Sequence, residues 1–177
     1  VVCAEAHIVL KKKIKNLITI IIPRHIHRAD EIAKKIENLN LKVSLLSAKA
    51  KNIKNVDIFL IDSFGETEKF YKISPTVFMG KSLPNASSTG GQNPIEPARC
   101  GAKILHGPYT DNFKDVFKLF RKLNVSKIVT NPKNLAASIT FKRKQNIRKK
   151  INKIGGKILK ETIKELDNLI INEIKKT

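Results

Sequence analysis

Several things are scarce in this chain of 177 residues, and each scarcity removes a class of protein. No run approaches the roughly 18 to 20 uninterrupted apolar residues of a membrane span. The longest apolar strand candidate, 17-LITIIIP-23, is far too short. Two cysteines, Cys3 and Cys100, lie far apart with no partner Cys or His at ligand spacing, so neither a disulfide framework nor a zinc site is expected, and a reducing, cytosolic compartment fits best. The N-terminus VVCAEAHIVLKKKIK places its basic residues after the apolar ones and no small-residue cleavage site follows, unlike a secretory signal. It also lacks an initiator methionine, which suggests that something precedes Val1. Acidic residues are few, 15 against 35 basic, for a net charge of +20. That imbalance invites a nucleic-acid or anionic-membrane partner. Aromatics are also few, at 6%, and the basic residues are 29 lysines against 6 arginines spread along the whole chain. Base recognition favours interleaved arginine and aromatic side chains, so nucleic acid is the weakest reading; a lysine-, isoleucine- and asparagine-biased composition accounts for such diffuse lysine, and a basic face toward anionic lipid is the main alternative.

At 41% hydrophobic content the chain can bury a core. Short apolar runs at 17–22, 42–46, 57–61, 76–80, 103–107 and 127–130 read as buried strands, and helix candidates lie between them at 28–39, 66–73, 94–101, 112–123 and 132–142. A further helix precedes Lys15. This alternation predicts an α/β fold, a Rossmann-like parallel sheet with helices on both faces, over residues 1–144. Residues 145–177 predict a lysine-rich amphipathic helix packing on the same domain, broken or kinked at Gly155 and Gly156. The stretch 84-PNASSTGG-91 reads as a loop.

Ligands of such sheets bind at the carboxyl ends of the strands, where three segments converge. Arg24, in 23-PRH-25, offers a permanently charged planar fork. In 62-DSFGE-66, Gly65 permits a tight turn and Glu66 falls in the first helical turn. In 90-GGQNPIEP-97, Gly90 and Gly91 allow close backbone approach, Asn93 is the expected N-cap and Pro94 the first helical residue. The helix N-terminus then suits a phosphate or carboxylate, with Glu96 placed to accept from sugar hydroxyls. His7, His25, His27 and His106 lack the convergence of a metal or pH-active site and read as structural or solvated, with His25 placed to help position a phosphate. Cys100 reads as a small buried apolar residue. No metal or cofactor is implied.

The ordered motifs PRH, DSxGE, FMGxSL, GGQNPIEP and HGPxxxNF resemble the C-terminal half of 3-deoxy-D-manno-octulosonic acid (Kdo) transferases, over nearly the whole chain. The resemblance implies the C-terminal domain of a GT-B glycosyltransferase, lacking its first strand and its N-terminal catalytic domain. It also implies CMP-Kdo as donor and, through the missing domain, a lipid A precursor as acceptor at the cytoplasmic face of the inner membrane. Carried over by motif, Pro23 and Arg24 meet the CMP phosphate region, Phe64, Gly65 and Glu66 hold the cytidine, and Asn93, Pro94, Ile95 and Glu96 meet phosphate and ribose. Gly90 and Gly91 add phosphate contacts, and Asn112 is a ligand contact by the same analogy. Lys81 departs from the family pattern, which has a second glycine there. The resemblance implies that this chain binds donor without transferring it unless a separate N-terminal half joins it. A non-catalytic remnant that keeps the fold, or a basic nucleic-acid-binding protein, are the competing readings.

Overall fold

A computed structural model describes residues 1–48, 55–83, 90–143 and 146–174. The predicted alternation is present, with elements shorter than the apolar runs suggest. In order they are α1 (Val2–Lys11), β1 (Thr19–Ile21), α2 (Ala29–Glu37), β2 (Val43–Leu45), β3 (Ile58–Leu60), α3 (Thr67–Ile73), β4 (Thr76–Met79), α4 (Ile95–Arg99), β5 (Lys103–His106), α5 (Lys114–Lys122), β6 (Ser126–Ile128), α6 (Pro132–Ser138) and α7 (Ile147–Ile174). Single turns of 3₁₀ helix lead into α2 and α5.

Local chemistry accounts for these boundaries. Asp30 and Glu31 occupy the first turn of α2 and Lys34 and Lys35 its last, each on the favourable end of the helix dipole. Asn131 caps α6 by accepting from the Asn134 N–H at 2.8 Å, with Pro132 in the first turn. Helix α5 turns Phe117 and Phe120 inward and its charged side chains outward.

All strand pairs are parallel, as the apolar runs predict, but the described strands form two three-stranded sheets, ordered β1-β3-β2 and β4-β5-β6. The single sheet expected from sequence is thus divided between β1 and β4. The middle strand of each sheet carries its core: Ile58 and Leu60 in β3, Ile104 and Leu105 in β5, all fully buried. Helix α1 spans both sheets. Ala4 and Ile8 pack with Ile58 and Ile21, while Ala6, with Val2, Cys3 and Leu10, packs with Leu105 and Phe78.

Helix α7 corrects a second expectation, because it runs through Gly155 and Gly156 without a break. Two glycines cost about 1 kcal/mol each relative to alanine, which a 28-residue helix rich in Lys, Ile, Leu and Glu absorbs, and neither glycine takes a positive φ. Only its first turns enter the core: Ile147 and Ile151 pack beside Phe117 and Ile104, whereas Ile158, Leu159, Ile163, Leu166, Leu169 and Ile170 are exposed. Of the predicted loop at 84–91, residues 84–89 lie outside the described residues.

Candidate functional site

A cavity of about 560 Å³ opens between the two sheets. Its mouth lies at the carboxyl ends of β1, β3 and β4, where Pro23, Arg24 and His25 face Ser63, Phe64 and Gly65, with Gly80, Lys81 and Gln92 on the third side. Two of the three segments singled out in the sequence therefore meet at one cavity. From the third segment only Gln92 lines it; Gly90, Gly91, Asn93, Pro94, Ile95 and Glu96 stand outside the lining.

Arg24 is exposed and lines the cavity with no acidic partner among the described residues, so its guanidinium is available to an anion. Arg28, nearby, is committed to Glu31 at 3.1 Å. His25 and His27 stack loosely at 5.6 Å between ring centres. The segment after β3 is open. Phe64 is 86% exposed, Gly65 takes φ +79° as its tight turn requires, and Glu66 pairs with Lys69 at 2.9 Å. What anchors this segment is Asp62, which accepts from the backbone N–H of Ser47 at 2.9 Å and from its hydroxyl. Burial pushes the Asp62 carboxyl up, but hydrogen bonds from Ser47 together with those from the backbone of Asp62 and Leu46 outweigh it and leave the group below its usual range.

The opposite rim is locked. Ser82, fully buried, donates from its hydroxyl to the Met79 carbonyl at 2.6 Å and accepts from the Gly107 N–H at 2.8 Å. Its carbonyl accepts from the Tyr109 N–H at 3.0 Å. Gly107 lies so close that a Cβ there would sit 1.8 Å from the Ser82 carbonyl oxygen. Lys81, between these bonds, holds φ +58°. This is left-handed backbone, which explains why glycine suits the position and why lysine is strained there. The Lys81 carbonyl accepts from the Gly91 N–H at 3.0 Å, and the Gly90 carbonyl from the Asn112 N–H at 3.1 Å. Asn112 thus positions the glycine-rich loop through its backbone. Sequence reasoning passed over Ser82 and Gly107; the FMGKSL and HGP motifs held the signal, but their mutual contact is tertiary.

The turn at Asn93 also differs from expectation. Helix α4 begins at Ile95 with Pro94 as its cap residue, and the Asn93 side chain accepts from the Ile95 N–H at 3.0 Å. That N–H is consumed by the protein, and a five-residue helix has little dipole to offer an anion. Glu96 is exposed, yet it stands near enough to Tyr71, a lining residue, to help burial push the Tyr71 hydroxyl up.

The histidines behave as structural groups. His7 is buried, with Nδ1 2.9 Å from Thr19 Oγ1 and Nε2 3.6 Å from Asp57, whose carboxylate also holds Lys11. Burial, then Lys11, lowers its pKa. His106 shares a 2.7 Å hydrogen bond with the Gly107 carbonyl and lies on Phe117; burial lowers its pKa too. Cys100 is half-buried rather than buried, and its carbonyl accepts from Arg143. No group of three or more metal-ligating side chains occurs among the described residues.

An open, parallel α/β domain with a cationic mouth at its strand carboxyl ends defines a Rossmann-like domain. No family model matches the chain. A bifunctional glycosyltransferase/methyltransferase of Fusobacterium nucleatum is 31% identical over 93% of the chain and 26% of its own length. The 3-deoxy-D-manno-octulosonic acid transferase of Aquifex aeolicus is 28% identical over 83% of the chain and 40% of its own length, and that of Haemophilus influenzae 30% over 65% and 26%. The chain therefore spans between about a quarter and two-fifths of these relatives. Among solved structures, the C-terminal CMP-Kdo binding domain of WaaA from Acinetobacter baumannii superposes with a TM-score of 0.70 at 28% identity, over 76% of this chain and 69% of that one. Sequence and fold agree: over most of its length the chain is similar to Kdo transferases, in the region of their C-terminal domain.

Proposed function

We propose that this chain is the donor-binding part of a Kdo transferase and holds the CMP moiety of CMP-Kdo at the mouth between β1, β3 and β4. The observation that carries this reading is Arg24, exposed and unpaired among the described residues at the rim of the cavity, in a domain whose structural relative is a CMP-Kdo binding domain. Arg24 takes the phosphate, with the Lys81 ammonium as a second cation and Pro23 fixing the backbone between strand and arginine. Phe64 and Gly65 receive the cytosine, and Glu66 exchanges its pairing with Lys69 for the nucleoside. Glu96, beside Tyr71, accepts from the ribose hydroxyls, and the turn at Asn93, Pro94 and Ile95 carries it there, with Gly90 and Gly91 behind it as further phosphate contacts.

Transfer itself needs a base to deprotonate the acceptor hydroxyl and a surface to orient a lipid beside the donor. The relatives are longer than this chain, and in this reading those functions reside in their additional length. The acceptor is a lipid A precursor, and the 177 residues alone bind donor without turning it over. Residues 142–177 carry 12 basic against 4 acidic side chains, which supports peripheral attachment to an anionic inner-membrane surface. No helix among the described residues is long and apolar enough to cross a membrane.

Calorimetric titration with CMP, UMP and AMP tests the reading. CMP should bind and the other two bind more weakly. Equal affinity for all three would remove the cytidine assignment, and no binding of any would remove the site.

A further inference from the structure

The lining of the cavity is charged with one sign. Arg24, Arg28 and Lys81 belong to it, and no aspartate or glutamate does. Arg28 is taken by Glu31 at 3.1 Å. Arg24 and Lys81 have no ion pair among the described residues. These two cations come from different sheets, Arg24 after β1 and Lys81 after β4, so a ligand in the mouth meets one on each wall.

Lys81 also stands apart in its backbone. The described residues other than glycine with positive φ are Asn40, Asn55, Asn124 and Lys81. Asparagine visits left-handed backbone because its short polar side chain hydrogen-bonds locally, whereas a lysine crowds its Cβ against the following carbonyl without that return. The surroundings impose the conformation. The Lys81 carbonyl accepts from the Gly91 N–H at 3.0 Å, and the next residue, Ser82, is held by Met79, Gly107 and Tyr109. Residues whose strain is over-determined by their neighbours cluster at ligand clamps and active sites. What lysine offers here that glycine or asparagine does not is a positive charge on a long stem, half-buried in the lining.

Charge matching then narrows the ligand. A sugar joined to CMP leaves a phosphodiester with a single negative charge, which Arg24 matches. When the sugar covers the wall after β4, the Lys81 ammonium loses water, and with no carboxylate in the lining it is uncompensated unless the ligand brings a second anion. A neutral sugar brings none; a sugar acid brings a carboxylate beside the phosphate ester. We infer that Lys81 binds the carboxylate of a CMP-linked sugar acid and makes the mouth selective for acidic over neutral sugars. Gln92, on the same wall, has an amide N–H to offer the second carboxylate oxygen. The inference rests on the cytidine nucleotide reading proposed above and deepens it. Free CMP, whose phosphate loses its second proton near pH ~6, carries both charges on one group and engages both cations, so the discriminating ligands are diesters.

The test titrates three diesters calorimetrically into the 177-residue chain and into its Lys81→Gln and Lys81→Arg variants. The ligands are CMP-Kdo, the carboxamide of CMP-Kdo, which keeps the shape and removes the charge, and the methyl ester of CMP, which has no sugar. The unaltered chain should bind CMP-Kdo about tenfold or more tighter than the carboxamide. Lys81→Gln, which leaves the backbone as strained as before, should abolish that advantage while changing the affinity for the other two ligands by less than about twofold, and Lys81→Arg should restore most of it. Equal losses for all three ligands in Lys81→Gln would assign Lys81 to the phosphate or to the fold, and an undiminished preference for CMP-Kdo would place it away from the carboxylate; either result overturns the inference while the cytidine site stands. Failure of the CMP methyl ester to bind the unaltered chain would remove the site, and this inference with it.

Discussion

The two rims of the mouth are built on opposite principles. After β4, the turn through Ser82 is buried, bonded to Met79, Gly107 and Tyr109, and packed so tightly against Gly107 that no side chain fits there. After β1 and β3, Arg24 and Phe64 stand in solvent, and Asp62 ties down the segment after β3 through Ser47. A rigid wall fixes where a ligand sits, and an open wall supplies side chains free to engage it. Substitutions on the locked rim should therefore change stability, and those on the open rim should change binding.

The largest effect is expected at Gly107. Gly107→Ala drives a methyl into the Ser82 carbonyl and should cost about 3 kcal/mol or more of stability, read as a fall in the urea midpoint; a loss under about 0.5 kcal/mol would show that the rim is not rigid. On the opposite side, Arg24→Ala should weaken CMP binding by about 1.5 to 3 kcal/mol, the range for a hydrogen bond to a charged group, and leave the melting temperature unchanged. Cytidine, without the phosphate, should be indifferent; equal losses for both ligands would place Arg24 away from the phosphate.

Acidification separates the core beneath the rims from the rims themselves. His7 and His106 have folded-state pKa values below the ordinary histidine range. The unfolded chain therefore takes up protons near pH 6.5 that the native state refuses. Their stability contribution is fully present above that pH and is lost as the pH falls through it toward the folded values. The urea midpoint should drop between pH 7.5 and 5.5, and His7→Gln combined with His106→Gln should flatten that dependence; an unchanged slope in the double variant would assign the effect elsewhere. The smallest change is expected from Lys81→Gly, which relieves left-handed backbone and should stabilise the fold by about 1 kcal/mol while weakening CMP binding through the lost cation. Destabilisation would mean that the lysine is favourably held.

Much of this was legible in the chain itself. Buried strands announce themselves as short apolar runs, and PRH and DSFGE mark the strand ends where the mouth forms. Less legible was anything decided by contacts between distant segments. The apolar runs at 17–22 and 76–80 are both good strands, but nothing in either says that no hydrogen bonds join them. Gly155 and Gly156 look like a break because glycine is a weak helix former, yet 28 residues of helix outweigh them. Asn93 is a good cap by residue type, but the Pro94 backbone starts the helix one residue later than the N-cap rule suggests. His7 shows no motif because Thr19 and Asp57, its partners, come from a different strand and a different loop.

Whether the mouth between the sheets is a cytidine nucleotide site is decided most directly by calorimetric titration of CMP into the 177-residue chain, with UMP and AMP as controls and the Arg24→Ala protein alongside. The account predicts saturable binding of CMP, weaker binding of UMP and AMP, and a loss of about tenfold or more in the variant. CMP, UMP and AMP binding alike, or CMP binding unaffected by Arg24→Ala, would contradict it.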